Sequence, residues 1–138
     1  MKRKTRIRIT AIVLVILIVS MMTMSVFAES KSVKPKSGTT QSTFVVKTPY
    51  QWKWWWQSLK TMTVTVKNTG NCGVNVNLFA PKGYPEAYKT LSLSPGQSGT
   101  YTLQHNDREY RLVVGYYNNY SYSRGVTVTT SAGSVRVA

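Results

Sequence analysis

Four carboxylates, one histidine and one cysteine make up the acid–base and nucleophilic chemistry of this 138-residue chain. His105, Asp107 and Glu109 are the one cluster of them. At i, i+2, i+4 spacing on a strand, all three would share a face and could present metal ligands. Asn106-Asp107-Arg108 reads instead as a turn, which scatters them, and Arg108 and Arg111 add positive charge. No Gly-x-Ser-x-Gly and no phosphate-cradling glycine loop occurs. The expectation is a protein that is not an enzyme, with no metal and no cofactor.

Aromatic residues offer a different chemistry, that of flat stacking surfaces. Tyr50-Gln51-Trp52-Lys53-Trp54-Trp55-Trp56-Gln57 carries all four tryptophans of the chain. If this run is a strand, Tyr50, Trp52, Trp54 and Trp56 fall on one face, and Lys53 and Trp55 on the other. A one-sided core cannot take every ring. The expectation is that Trp52, Trp54 and Trp56 face the core while Trp55 stands out beside Lys53. Trp54, Trp55 and Lys53 are then candidates for a shelf that stacks on sugar rings, or for a contact at lipid headgroup level. Base stacking on nucleic acid is the weakest of these options. The bland alternative is that the rings simply cap one end of the core.

Tyrosines form a second cluster. Asn118-Asn119 reads as a two-residue hairpin turn. Such a hairpin would set Tyr117 opposite Tyr120 and Gly115 opposite Tyr122. Cross-strand rings stabilise hairpins by about 0.2–1 kcal/mol, so a structural role accounts for them. Tyr117, Tyr120 and Tyr122 with Arg124 are also a candidate binding patch, because Tyr and Arg are enriched at interface hot spots.

These residues must be positioned by strands. Met62, Val64 and Val66 alternate with Thr61, Thr63, Thr65 and Lys67, the period of a half-buried strand. Thr43 to Lys47, Val74 to Leu78, Leu91 to Leu93, Tyr101 to Leu103, Tyr110 to Tyr116, Val126 to Val128 and Val135 to Val137 repeat the pattern. Turn-forming groups separate them, among them Asn68-Thr69-Gly70-Asn71-Cys72-Gly73, Ser94-Pro95-Gly96 and Ser131-Ala132-Gly133. Seven to eight short strands at close spacing predict an all-β, antiparallel sandwich over residues 43–138.

Val-Thr-Val-Lys-Asn-Thr-Gly (64–70), Val-Asn-Val-Asn-Leu (74–78) and Leu-Ser-Leu-Ser-Pro-Gly-Gln-Ser-Gly-Thr-Tyr-Thr-Leu (91–103) resemble immunoglobulin-like β-sandwich modules of bacterial exported proteins. The resemblance spans residues 62–103. It implies an architecture shared by adhesive, ligand-binding, spacer and assembly domains, and no single activity.

The N-terminus bounds where the protein works. Lys2, Arg3, Lys4, Arg6 and Arg8 precede an apolar stretch from Ile9 to Phe27, and Val26-Phe27-Ala28 suits a signal peptidase. Residues 1–28 are therefore expected to be a signal peptide, and the product secreted or cell-wall associated. Retention as an uncleaved membrane anchor is the alternative, since a span takes about 20 apolar residues. Residues 29–42 are polar and basic, and read as a flexible leader.

The whole chain carries a net charge of +14. Cleavage removes five of the 18 basic residues and leaves about +9. Such a charge attracts polyanions at long range and is screened by salt. Cys72 is the only cysteine, so no internal disulfide can form. It is a small buried residue, a loop thiol, or a route to a linked dimer.

Together these features predict an exported protein that binds an anionic or glycan component of a cell envelope. A membrane-active cationic effector of the bacteriocin or toxin kind is the first alternative, and a self-associating matrix protein the second. Oligomeric state is not readable from these residues.

Overall fold

A computed structural model describes residues 28–81, 88–117 and 123–138. Nine antiparallel strands are found among them: β1 (Glu29–Val33), β2 (Gln41–Lys47), β3 (Thr61–Asn68), β4 (Val74–Phe79), β5 (Leu91–Leu93), β6 (Ser98–Gln104), β7 (Glu109–Tyr116), β8 (Val126–Thr130) and β9 (Ser134–Val137). They form two sheets, ordered β1-β8-β3-β6 and β5-β4-β7-β2-β9. The all-β sandwich expected from the sequence is what forms.

Its connectivity is more interleaved than an immunoglobulin plan, in which strands ABED face CFG. Here only β4 and β5 are consecutive neighbours in one sheet. Every other connection crosses from sheet to sheet, the interleaving of an eight-stranded jelly roll with β9 added at an edge.

Period-two patterning builds the core. In β3, Met62, Val64 and Val66 are buried while Thr61, Thr63 and Lys67 are exposed. Facing them from the second sheet are Phe44, Val46, Val74, Val76, Leu78, Leu112 and Val114, all essentially inaccessible. Burying each such side chain contributes about 1.5–3 kcal/mol, an upper figure because the unfolded chain already hides some apolar area.

Polar groups inside are tied. Asn68 is fully buried and donates from Nδ2 to the carbonyls of Cys72 (2.7 Å) and Leu93 (3.1 Å). Cys72 is a free, buried thiol, which fits the first of its three readings. Gly133 closes the β8–β9 turn at φ 68°, where an added Cβ would lie 2.1 Å from the Lys47 carbonyl oxygen.

Two expectations are corrected. Residues 29–42 are not a flexible leader: β1 pairs with β8 along its whole length, and β2 already begins at Gln41. Low hydrophobicity does not prevent this, because an edge strand needs backbone partners more than apolar side chains. Cross-strand hydroxyl contacts at Ser30–Thr129 (3.2 Å) and Ser32–Thr127 (2.8 Å) add to it. The sandwich therefore takes in β1.

The second correction concerns the strands expected to pair across Asn118-Asn119, residues that themselves lie outside the described ones. β7 lies between β4 and β2, whereas β8 lies in the other sheet between β1 and β3. Gly115 consequently faces Gln41 and Asn75; Tyr122, its expected partner, lies outside the described residues.

Candidate functional site

The tryptophan run lies on the connection from β2 to β3, and its foot is fastened before its rings are offered outward. Thr48 is fully buried; its hydroxyl donates to Asn106 Oδ1 (2.6 Å), and its amide to the Arg108 carbonyl (2.9 Å). Pro49 then leaves the chain no N–H to continue the ladder, and only an isolated bridge joins Tyr50 to Asn106. Gln51 closes the base of the loop: its Oε1 accepts from the Lys60 amide (2.6 Å) and its Nε2 donates to the Ser58 carbonyl (3.3 Å).

A tight turn shapes the tip. The Gln57 amide donates to the Trp54 carbonyl (3.0 Å), while Gln57 Oε1 accepts from the Trp54 amide (2.9 Å). Trp55 and Trp56 occupy the two central turn positions and are therefore pushed into solvent.

The four indoles form one connected cluster. Trp54 and Trp56 stack at 5.4 Å with planes 7° apart; Trp52 meets Trp54 edge-on at 4.9 Å, and Trp55 meets Trp56 edge-on at 5.8 Å. Each such pair contributes about 0.5–1.5 kcal/mol beyond its burial. Trp52, Trp54, Trp55 and Trp56 are nonetheless 64%, 50%, 88% and 61% exposed. The expectation that Trp52, Trp54 and Trp56 face the core is thus corrected. Even-numbered rings do share a side, but they pack on one another, because the backbone here is not in a sheet. Trp55 is the most exposed ring, and Lys53 is exposed beside it.

A groove of about 390 Å³ runs along the foot of this loop, lined by Tyr50, Gln51, Trp52, Lys60 and His105. Sequence reasoning did not connect His105 to the tryptophans; the contact arises because β6 ends beside the loop, with the His105 amide donating to the Lys60 carbonyl (2.9 Å). Its Nε2 is buried without a hydrogen-bond partner among the described residues. His105, Asp107 and Glu109 do not converge. Asp107 takes φ 51° in the turn and pairs with Lys47 at 3.8 Å, and Glu109 begins β7. Among the described residues no group of three His, Cys, Asp or Glu side chains is placed to hold a metal ion.

Of the candidate tyrosine patch, only Tyr117 and Arg124 fall among the described residues; Tyr120 and Tyr122 lie outside them. Tyr117 is 62% exposed, packs its ring over Gly73 and donates its hydroxyl to Asn75. Arg124 is only 5% exposed, so it is not a surface contact. Its guanidinium donates to the carbonyls of Lys36 and Thr39 and lies 5.2 Å from the Tyr116 ring centre. A buried guanidinium with several acceptors is a structural clamp.

No protein-family model and no curated protein matches the chain significantly. Solved structures do resemble it in fold. The pre-peptidase C-terminal domain of a collagenase from Bacillus anthracis matches with TM-score 0.53 and 13% identity, over 80% of this chain and 90% of that one. The C-terminal domain of EclA, a sugar-binding protein, gives TM-score 0.41 and 11% identity over 80% of this chain and 78% of that domain. A carbohydrate-binding module of Cellvibrio mixtus lichenase 5A, solved with cellotriose, gives 0.36 and 6% over 77% and 92%. At these identities the likeness is one of β-sandwich fold.

Proposed function

We propose that this chain is an exported, non-enzymatic binding protein whose tryptophan loop attaches it to a glycan of a cell envelope. One observation carries the reading: four connected indoles stand in solvent on a loop whose base is pinned by Gln51 and whose tip is held by Gln57. Soluble monomers rarely leave so large an apolar patch uncovered unless something binds there. Flat rings beside Lys53 and Lys60 suit the apolar faces of sugars, and the groove containing His105 supplies polar groups next to them. The excess of basic residues adds attraction to anionic wall polymers.

Pull-down with purified cell-wall polysaccharide tests this. Trp52→Ala and Trp55→Ala should each reduce retention about fivefold or more, the equivalent of about 1 kcal/mol of stacking, while the fold is retained, since each loses a single ring contact. Retention unaffected by both substitutions overturns the proposal. Dye leakage from anionic vesicles without wall retention would overturn it in favour of a membrane-active effector.

A further inference from the structure

The outer face of the β5-β4-β7-β2-β9 sheet carries features that the tryptophan loop does not explain. Antiparallel register sets Phe79, Arg111, Val45 and Arg136 in one row across β4, β7, β2 and β9. The row behind it is Asn77, Val113 and Thr43, and the third is Asn75, Gly115 and Gln41. With strands about 4.8 Å apart, the two arginine Cα atoms are separated by about 10 Å. Arg111 lies 5.3 Å from the Phe79 ring centre. Two adjoining grooves, of about 480 and 540 Å³, share Phe79 and Arg111.

The arginines and amides of this face keep donors to offer. Neither Arg111 nor Arg136 makes an ion pair among the described residues; Lys47 pairs with Asp107. Glu109 stands at the margin, paired in register with Lys47. The Oδ1 atoms of Asn75 and Asn77 are held by Ser92 (2.9 Å) and Thr90 (2.6 Å), which fixes both amides and leaves their N–H groups to donate. Gly115 makes a hollow at the centre of the third row: among the described residues, an added Cβ would meet nothing nearer than the Asn75 carbonyl oxygen, at 3.9 Å.

We propose that this face is a second binding site, one for an acidic polysaccharide laid along β7 from Arg111 to Gly115. Guanidinium forks match carboxylates in a bidentate way. The fixed amides of Asn75 and Asn77 meet sugar hydroxyls, Phe79 offers a ring, and the Gly115 hollow admits a sugar between them. Grooves of this size fall within the range of ligand sites. A neutral chain would leave two guanidiniums unpaired; a small inorganic anion would leave the hollow and amides unused. The site is independent of the tryptophan loop, which lies on the β2–β3 connection.

Calorimetric titration tests it, with an oligogalacturonate as probe and its carboxyl-reduced, neutral counterpart as control. The acidic oligomer should bind about tenfold or more tightly than the neutral one. Arg111→Gln and Arg136→Gln should each weaken it about tenfold, the scale of a charge-assisted contact. Gly115→Val should abolish binding by filling the hollow, with melting temperature unchanged, while Trp55→Ala should have no effect. Lys67→Gln, on the outer face of the opposite sheet, should lower affinity far less than either arginine change. The proposal is overturned if the acidic oligomer does not bind, if Gly115→Val binds like the wild type, or if Lys67→Gln equals the arginine variants. Loss of binding confined to Trp55→Ala would move the acidic ligand to the tryptophan loop and sink this site alone.

Discussion

Two sets of aromatic residues meet opposite fates in this molecule. Tyr101, Tyr110 and Tyr116 are at most 6% exposed, and each hydroxyl is satisfied: Tyr101 donates to the Val76 carbonyl (3.1 Å), Tyr116 donates to Ser42 (2.8 Å), and Tyr110 accepts from Asn106 Nδ2 (2.7 Å). The larger and more apolar indoles of the β2–β3 loop stay in water. Hydrophobicity alone therefore does not decide burial. A ring is buried where its backbone is paired in register and its polar tip finds a partner. On the loop, side-chain bonds from Gln51 and Gln57 fix the backbone away from the sheet, so the rings can only pack on each other.

The sharpest way to break that comparison is truncation on both sides of it. Phe44→Ala, in the core, should cost about 3–5 kcal/mol, and Trp55→Ala, which loses a single edge-on ring contact, no more than about 1.5 kcal/mol in the same denaturant series. Equal losses would mean that the indoles are core residues after all.

A smaller effect is expected at the clamp. Arg124→Met removes charged hydrogen bonds to the Lys36 and Thr39 carbonyls and should cost about 1.5–3 kcal/mol. Cleavage by trypsin at Lys36 should accelerate with it. Unchanged stability and unchanged cleavage would return Arg124 to the surface role that its sequence context suggests.

The smallest effect lies at high pH. Burial pushes the Tyr101 hydroxyl from 10.0 up to about 12. In the unfolded chain this phenol loses its proton near pH 10, whereas the folded protein holds it, so unfolding becomes easier as pH rises from 10 to 12. Below pH 10 the contribution is intact. Denaturant unfolding of the wild type and Tyr101→Phe should show the variant less sensitive across that window; parallel curves would contradict the assignment.

How much of this was legible in the residues follows from the same physics. Strands such as β3 and β4 announce themselves because one buried face forces a period of two. β1 does not, since pairing with β8 draws on backbone groups that every residue has. The Asn118-Asn119 signal suggests a local hairpin, yet β7 and β8 gain more by joining different sheets around a common core. Arg124 reads as a surface cation until the carbonyls of the Lys36–Thr39 turn are seen around it. The row Phe79, Arg111, Val45 and Arg136 was illegible for a plainer reason: it assembles from four strands scattered along the chain, and only their register reveals it.

Because all four tryptophans of the chain lie on the β2–β3 loop, intrinsic indole fluorescence reports on that loop alone. Titrating the wild type and Trp55→Ala with solubilised cell-wall polysaccharide therefore tests the central claim directly. The account predicts a blue shift of wild-type emission on binding and a markedly smaller shift, with weaker binding, in the variant. Polysaccharide that binds both proteins equally while emission stays unchanged would contradict it.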